Sequence, residues 1–306
     1  MAKSYHLRLL ENYRFVLYAP FYAAHATGAY AEEGVEVELL PSPGPGRAEA
    51  ALAAGEVDVG WMGPIRLMKQ HDENPDSPLV GFAEVVCRDP FSLVGRFANP
   101  DFRFSELAGL RFASTAEVPT PWLCLEQDLR DAGIDPCRLD RVLGRSMAEN
   151  VAALRAGSLD VAQLFEPFVE TALASTGGHV WYPASARGRT SYTVFVTTRD
   201  RLSADPEPFR RMVRAMYKTQ RWVMAEPPER LAEVIAAYFP ALEHGVLARA
   251  LARYKAQGVW AENPVLSEEG FGRLRRALLG SGFLKRDVPF AECTDNGLAE
   301  AAVAAG

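Results

Sequence analysis

The chain has 306 residues, a formal net charge of −6 and 48% hydrophobic residues, which is typical of a globular protein large enough for two lobes. The acidic balance argues against nucleic acid as the main partner, because basic residues dominate nucleic-acid sites. No stretch approaches the ~18 consecutive apolar residues of a membrane span, so no span is expected. The opening stretch MAKSYHLRLLENYRF lacks the apolar core of a secretion signal. We therefore expect either a cytoplasmic protein or a chain from which an export signal was removed.

Strands and helices alternate through the first part of the chain. This alternation predicts a parallel-type sheet flanked by helices. A turn is predicted at Pro41–Pro45, and glycines end two of the helices. The predicted strands are His6–Glu11, Val35–Leu40, Val57–Gly60 and Leu79–Cys87, and the predicted helices are Tyr18–Glu33, Arg47–Ala54 and Ile65–His71.

The middle of the chain repeats this alternation, which predicts two lobes with a cleft between them. Its predicted strands are Leu110–Ala113 and Val161–Leu164, and its helical segments are Ser105–Gly109, Trp122–Ala132, Met147–Ala156 and a helix opened by Glu166 and Pro167.

Helices dominate after a return strand predicted at Thr193–Thr197. The segment PEPFRRMVRAMYKTQRWVMAEP has apolar residues at helical spacing, with basic residues between them. Its basic face could dock an acidic partner, although a solvated helix face is the favoured interpretation.

Cysteine and histidine spacing gives no support to a metal or redox site. The cysteines are Cys87, Cys124, Cys137 and Cys293, and no pair of them has the spacing of a zinc or redox motif. One disulfide stays open, but we favour scattered, partly buried thiols. The histidines form no HxxxH or HxH pattern. We expect no metal and no cofactor.

The ends of the predicted strands indicate a ligand site. In open α/β sheets, ligands bind beyond the carboxyl ends of the strands, where loops and helix N-termini gather. This rule selects residues in both units as candidate ligand contacts. They are Asn12, Tyr13, Trp61, Met62, Gly63, Pro64, Arg88, Phe91, Ser114, Thr115, Glu117, Glu166 and Tyr192.

The candidate residue types suit a small ligand. Trp61, Tyr13, Phe91 and Tyr192 offer flat apolar walls, although each aromatic could equally pack in a core. Gly63 permits close approach of the backbone to a ligand. Arginines near the strand ends could add positive charge.

Catalytic motifs are absent from the sequence. No GxSxG, P-loop or GxGxxG pattern occurs. Glu117 and Glu166 could form a carboxylate pair across the cleft, but acidic residues at helix N-termini more often act as caps.

The stretches APFYAAHATGAYAEEGVEVELLP and AALAAGEVDVGWMGP resemble the opening of the NMT1/THI5-like family of periplasmic binding protein folds. CRDPFSLVGR, YTVFVTTRDRL and LSEEGFGRLRRALLGSGFLKRDVPFAECTDN resemble later parts of the same family. The resemblance implies a type II binding protein fold, an α/β architecture of two lobes that each hold a mixed sheet. One lobe would comprise residues 1–89 and 194–306, and the other residues 90–193.

The same resemblance implies a monomeric substrate-binding component of an ABC importer, with a permease as its partner and hinge closure around the ligand. Family ligands include sulfonates, nitrate-like ions, aromatic acids and thiamine pyrimidine precursors. The place of action would be periplasmic if a signal was removed, and cytoplasmic if the chain is native as it stands.

Some relatives are thiamine pyrimidine synthases, and the chain departs from their pattern. Met62 and Arg66 stand where the synthases carry Lys and His, and a thioether cannot form a Schiff base with pyridoxal phosphate. RGRTSYTVF lacks the synthases' cysteine cluster. Tyr18, a further candidate contact, stands where pyrimidine-binding members often show His. An enzyme of this fold, synthase-like or decarboxylase-like, using Glu117, Glu166 or His25, stays the alternative. A cytoplasmic sensor is a third hypothesis.

Overall fold

The computed structural model describes residues 4–41, 44 and 47–306, and their strands form two five-stranded sheets. Most of the turn predicted at Pro41–Pro45 lies outside the described residues. The strands are β1 (Tyr5–Leu10), β2 (Val35–Leu40), β3 (Val59–Met62), β4 (Leu79–Val86), β5 (Ser92–Gly95), β6 (Phe112–Ala113), β7 (Arg141–Val142), β8 (Val161–Leu164), β9 (His179–Pro183) and β10 (Thr193–Thr198).

Helices connect and cover these strands. The α-helices are α1 (Ala19–Ala26), α2 (Ala29–Glu32), α3 (Arg47–Ala53), α4 (Pro64–Glu73), α5 (Thr120–Asp131), α6 (Met147–Ala156), α7 (Phe168–Thr176), α8 (Arg199–Ala204), α9 (Glu207–Ala225), α10 (Pro228–Ile235), α11 (His244–Ala256), α12 (Glu268–Gly280), α13 (Phe290–Cys293) and α14 (Gly297–Ala304). Short 3₁₀ helices occupy Val16–Tyr18, Phe104–Gly109, Pro136–Arg138, Ala184–Arg187 and Ala236–Tyr238.

The first sheet has the order β2-β1-β3-β10-β4. Strand β1 runs parallel to β2 and β3, whereas β10 runs antiparallel to β3 and β4. Every residue of β4 is buried, as expected for a strand covered by helices on both faces. Strand β2 lies at an edge, and its exposed residues include two glutamates.

The second sheet has the order β7-β6-β8-β5-β9. Strand β6 is parallel to β7 and β8, and β5 is antiparallel to β8 and β9. The predicted fold class, α/β with a mixed sheet in each of two lobes, is confirmed. The antiparallel strands β5 and β10 make both sheets mixed, because each enters its sheet directly after a crossover from the other.

The two crossover segments lie side by side. The amide of Thr190 donates to the carbonyl of Cys87 at 2.8 Å, and the amide of Tyr192 donates to Val86 at 2.9 Å. These bonds join the segment that leaves the first sheet to the segment that returns to it. We keep residues 1–89 with 194–306, and residues 90–193, as the proposed lobes.

Local sequence signals explain which elements matched their prediction. Helix α6 has the predicted bounds because Ser146 and Glu149 form a capping box at its start and Gly157 ends it with a φ of 74°. The helix predicted over Tyr18–Glu33 is instead interrupted at Gly28, whose φ of 79° is left-handed. Strand β3 begins two residues later than predicted, and β5, β7 and β9 were not predicted from the sequence.

The basic face of α9 is largely paired within the chain, since Arg214 and Lys218 contact Glu33 at 2.8 and 2.5 Å. All four cysteines are free thiols, three of them buried and Cys137 exposed.

Across the described ranges, no helix is long and apolar enough to cross a membrane.

Candidate ligand-binding site

A cavity of about 230 Å³ lies between the two sheets. Strand ends from both lobes supply its walls, as the carboxyl-end rule predicts. Its lining residues are Asn12, Tyr13, Tyr18, Glu49, Gly63, Ile65, Arg66, Lys69, Gln70, Glu117, Val118, Pro119, Thr120, Tyr192 and Phe283.

The topology brings these residues together. Asn12 and Tyr13 follow β1, Gly63 follows β3, and the segment from Glu117 to Thr120 joins β6 to α5. Tyr192 precedes β10, which is antiparallel to β3, so the start of β10 lies beside the end of β3. The ends of three strands and the beginning of a fourth therefore meet at one cavity.

The backbone at Gly63 approaches the second crossover closely. A Cβ atom placed on Gly63 would lie 3.2 Å from the carbonyl oxygen of Tyr192 and 3.2 Å from Cγ2 of Ile65. A side chain here would push α4 away from the crossover. Pro64 follows at the start of α4, where its missing N–H breaks no helical hydrogen bond.

The cationic side chains in the cavity wall already contact carboxylates. Arg66 donates from Nη1 to Oε1 of Glu49 at 2.8 Å. Lys69 Nζ lies 3.1 Å from Asp72 and 3.3 Å from Glu73, and the hydrogen bond to Asp72 raises the pKa of Lys69. Lys69 is therefore an ammonium at neutral pH.

Glu117 faces these groups from the second lobe. One of its carboxylate oxygens accepts a hydrogen bond from the Thr115 hydroxyl, and the other accepts from the amide of Met147 at 2.8 Å. Met147 is the first residue of α6, so the carboxylate also lies at the positive end of a helix dipole. Glu117 thus ties the wall of the cavity to α6.

Three tyrosines supply aromatic surface and hydroxyl groups. Burial raises the pKa of Tyr18 to about 12, even though hydrogen bonds from Asn12 and Thr193 act in the opposite direction. Burial also raises the pKa of Tyr13, and that of Tyr192 well above the ordinary value. All three hydroxyls stay protonated at neutral pH and can donate or accept a hydrogen bond.

Six residues predicted as ligand contacts line the cavity: Asn12, Tyr13, Tyr18, Gly63, Glu117 and Tyr192. We keep these six as proposed contacts.

The side chains of Trp61 and Met62 lie elsewhere, both fully buried in the first lobe. The Trp61 ring stacks on Phe21 with centroids 4.5 Å apart, while Met62 packs in a separate apolar cluster with Leu67. Trp61 supports the site indirectly, because its ring also packs against the lining residue Tyr18.

Ser114 and Thr115 lie just behind the cavity wall. Ser114 Oγ accepts a hydrogen bond from Arg141 at 3.3 Å, and its carbonyl accepts one from Asn150 at 3.1 Å. Thr115 bonds the lining residue Glu117. Both residues shape the loop that carries Glu117.

Arg88, Phe91 and Glu166 make contacts away from the cavity. Arg88 donates to the carbonyl of Ser185 at 3.3 Å, and the buried Phe91 ring packs on Phe165. Glu166 pairs with Arg253 at 3.0 Å, and burial raises the pKa of Glu166 to about 7. Glu166 and Glu117 therefore belong to different networks.

Several lining residues were not predicted as ligand contacts, although Arg66 was among the arginines expected to add positive charge. Lys69 and Gln70 lie six and seven positions after Gly63, on the same helix face as Arg66, so this spacing could have found them. Glu49 is a charged residue in an alanine-rich helix, a weaker signal. Phe283 follows α12, and only the tertiary fold brings it to the cavity.

Comparisons with known proteins agree with this architecture. A family model described as NMT1/THI5 like matches residues 17–230. "Putative binding protein YtlA" of Bacillus subtilis (strain 168) is 24% identical over 296 residues, which cover 96% of this chain and 89% of that protein.

Solved structures share the fold at low sequence identity. The periplasmic aliphatic sulphonate binding protein SsuA of Escherichia coli has a TM-score of 0.75 at 15% identity, covering 94% of this chain and 96% of that one. The desulfurization enzyme DSZB has a TM-score of 0.72 at 14% identity, covering 98% and 99% of the two chains. The same fold thus occurs in a binding protein and in an enzyme.

Proposed function

The chain belongs to the NMT1/THI5-like family, and from this premise we propose that it is the solute-binding component of an ABC-type importer. It takes a small organic ligand into the cavity between its sheets and presents the closed form to a membrane permease. The periplasmic side of the membrane is the proposed place of action.

The observation that carries this proposal is the composition of the cavity wall. Residues of both lobes and of a crossover segment line the cavity, so one ligand can contact both lobes at once. A ligand held in this way stabilises the closed arrangement, since it binds that arrangement better than an open one. The cavity volume of about 230 Å³ suits a small molecule.

The chemistry of the wall favours binding over turnover. Lys69 is held as an ammonium by Asp72, so it is a poor nucleophile. Both oxygens of Glu117 accept hydrogen bonds from the protein. Met62 has a fully buried side chain outside the cavity wall, which supports the sequence-based argument against a Schiff base there.

A thermal-shift screen tests the proposal, using sulfonates, aromatic carboxylates, pyrimidines, amidines and nitrate, with hits followed by calorimetry. A ligand at 100 times its Kd should raise the free energy of unfolding by about 2.7 kcal/mol. Tyr13→Ala should weaken the hit, whereas Tyr217→Ala on α9 should leave it unchanged. Chemical conversion of the hit would instead support the enzyme, and absence of any hit would contradict the proposal.

A further inference from the structure

The cavity wall carries a buried carboxylate oxygen that no protein group satisfies. Glu49 is 6% exposed and lines the cavity. Its Oε1 atom accepts from Arg66, but its Oε2 atom is buried and has no hydrogen-bond partner among the described residues. Leaving a charged acceptor buried and unpaired is costly, so a turn of the Glu49 side chain that brings Oε2 to a ligand N–H in the cavity would be favoured.

A second acidic group lies close to the first. The pKa of Tyr13, raised chiefly by burial, is raised further by both Glu49 and Glu117 and lowered by Arg66, so all three charges act on one hydroxyl. Glu49 lies on α3 and Glu117 follows β6, so the carboxylates belong to opposite lobes. Arg66 balances one of the two charges, and Lys69 is already balanced by Asp72 and Glu73.

The remaining wall is aromatic and apolar. Tyr13, Tyr18, Tyr192 and Phe283 present rings to the cavity region, and the Lys69 ammonium lies 5.6 Å from the Phe283 ring centroid. Aromatic faces attract cations and accommodate flat groups. An oxyanion would instead meet two carboxylates, and it would have to compete with Glu49 for Arg66.

We propose that the cavity selects a planar organic cation of the amidine class, through an N–H hydrogen bond to Oε2 of Glu49. This inference rests on the proposed function and assigns its ligand class. Glu49 is the specificity-determining residue, Glu117 adds negative charge from the other lobe, and oxyanions are disfavoured.

Benzamidine, benzamide and benzoate form a matched set of probes, since they have nearly the same shape and differ in charge and in N–H donors. Calorimetry on the intact chain should show benzamidine binding at least about tenfold more tightly than benzoate, because of the charge-assisted hydrogen bond and the second carboxylate. Benzamide should lie between them.

Variants test whether Glu49 is responsible for the preference for benzamidine over benzoate. Glu49→Gln should reduce the preference to within about threefold, because the amide keeps the shape but removes the charge. Glu73→Gln, in an exposed partner of Lys69 outside the cavity wall, is the matched control and should retain the full preference. Circular dichroism checks that each variant is folded; if Glu49→Gln does not fold, the three-probe comparison on the unmodified chain decides.

Tighter binding of benzoate than of benzamidine, or an undiminished preference for benzamidine in Glu49→Gln, would overturn the inference. Failure of benzamidine to bind would overturn it as well. In each of these cases the proposed transport function stands if the broader screen finds another ligand, and it fails only if that screen finds none.

Discussion

Replacing Arg187 should destabilise the chain more than a typical single substitution. Its side chain is 7% exposed, and its guanidinium bonds Asp89 at 2.6 Å and Asp128 at 2.5 Å. Asp89 is fully buried in the first crossover segment, and Asp128 lies on α5. Arg187→Met keeps much of the side-chain volume but leaves two carboxylates facing each other without a cation.

The expected loss is about 3–5 kcal/mol at pH 8, the usual consequence of removing one partner of a buried ion pair. Burial already raises the pKa of Asp89, while Arg187 acts to lower it. Without the guanidinium the pKa of Asp89 should rise further, so protonation should relieve part of the loss at pH 5. Urea unfolding followed by circular dichroism at both values measures this.

The matched control is Arg103→Met, because Arg103 is 82% exposed and its partner Glu106 is 3.9 Å away. Its effect should stay within about 0.5 kcal/mol. The double variant Arg187→Met/Asp89→Asn should recover about half of the loss, since it removes the more deeply buried charge. A loss below about 1 kcal/mol for Arg187→Met, or an equal loss at pH 5 and pH 8, would refute this reasoning.

Three further predictions concern stability and thiol access. Burial raises the pKa of Glu84 from 4.5 to about 7, so the folded state keeps a proton that the unfolded state releases. The contribution of Glu84 to stability should therefore fall by about 3 kcal/mol as the pH rises through this window. Glu84→Gln should make the profile of urea midpoint against pH less steep, with Glu166 titrating in the same window and retaining part of the slope; an unchanged profile would contradict this. Trp61→Ala should cost about 3–5 kcal/mol in urea unfolding, because the ring is fully buried against Phe21; a loss under about 1 kcal/mol would argue against a core role. In the native protein, Cys137 alone should react rapidly with a thiol reagent such as DTNB, and a second fast thiol would show that a buried cysteine is accessible.

Elements defined by local chemistry were predictable. Strands β2 and β8 and helix α6 have the predicted bounds, because alternation, a capping box and a terminal glycine act within a few residues. Strand β6 covers only the last two residues of the strand predicted over Leu110–Ala113, and the two-residue strand β7, too short to show a period, was not predicted. They exist because neighbouring strands offer hydrogen-bonding partners, which is a property of the sheet.

The candidate site was likewise predictable where strand order was sufficient and unpredictable where side-chain orientation mattered. The carboxyl-end rule led to Asn12, Tyr13, Gly63 and Glu117, since strand order alone places such loops at one edge. It could not tell which way each side chain faces. Tyr13 lines the cavity while Trp61 lies in the core, although both are large aromatics near the carboxyl end of a strand.

Periodicity, helix caps and glycines act over a few residues. The sequence was therefore sufficient to predict that strands and helices alternate in two units and that the loops after the strands gather in a cleft. The charge of that cleft could be assigned only from the tertiary structure. Glu49 comes from α3, Arg66 from α4, Glu117 from the other lobe and Phe283 from beyond α12, and their proximity depends on how helices pack across the sheets. Arg66 is paired with Glu49, because Nη1 of Arg66 lies 2.8 Å from Oε1 of Glu49. The separation of the two residues along the chain does not predict this distance.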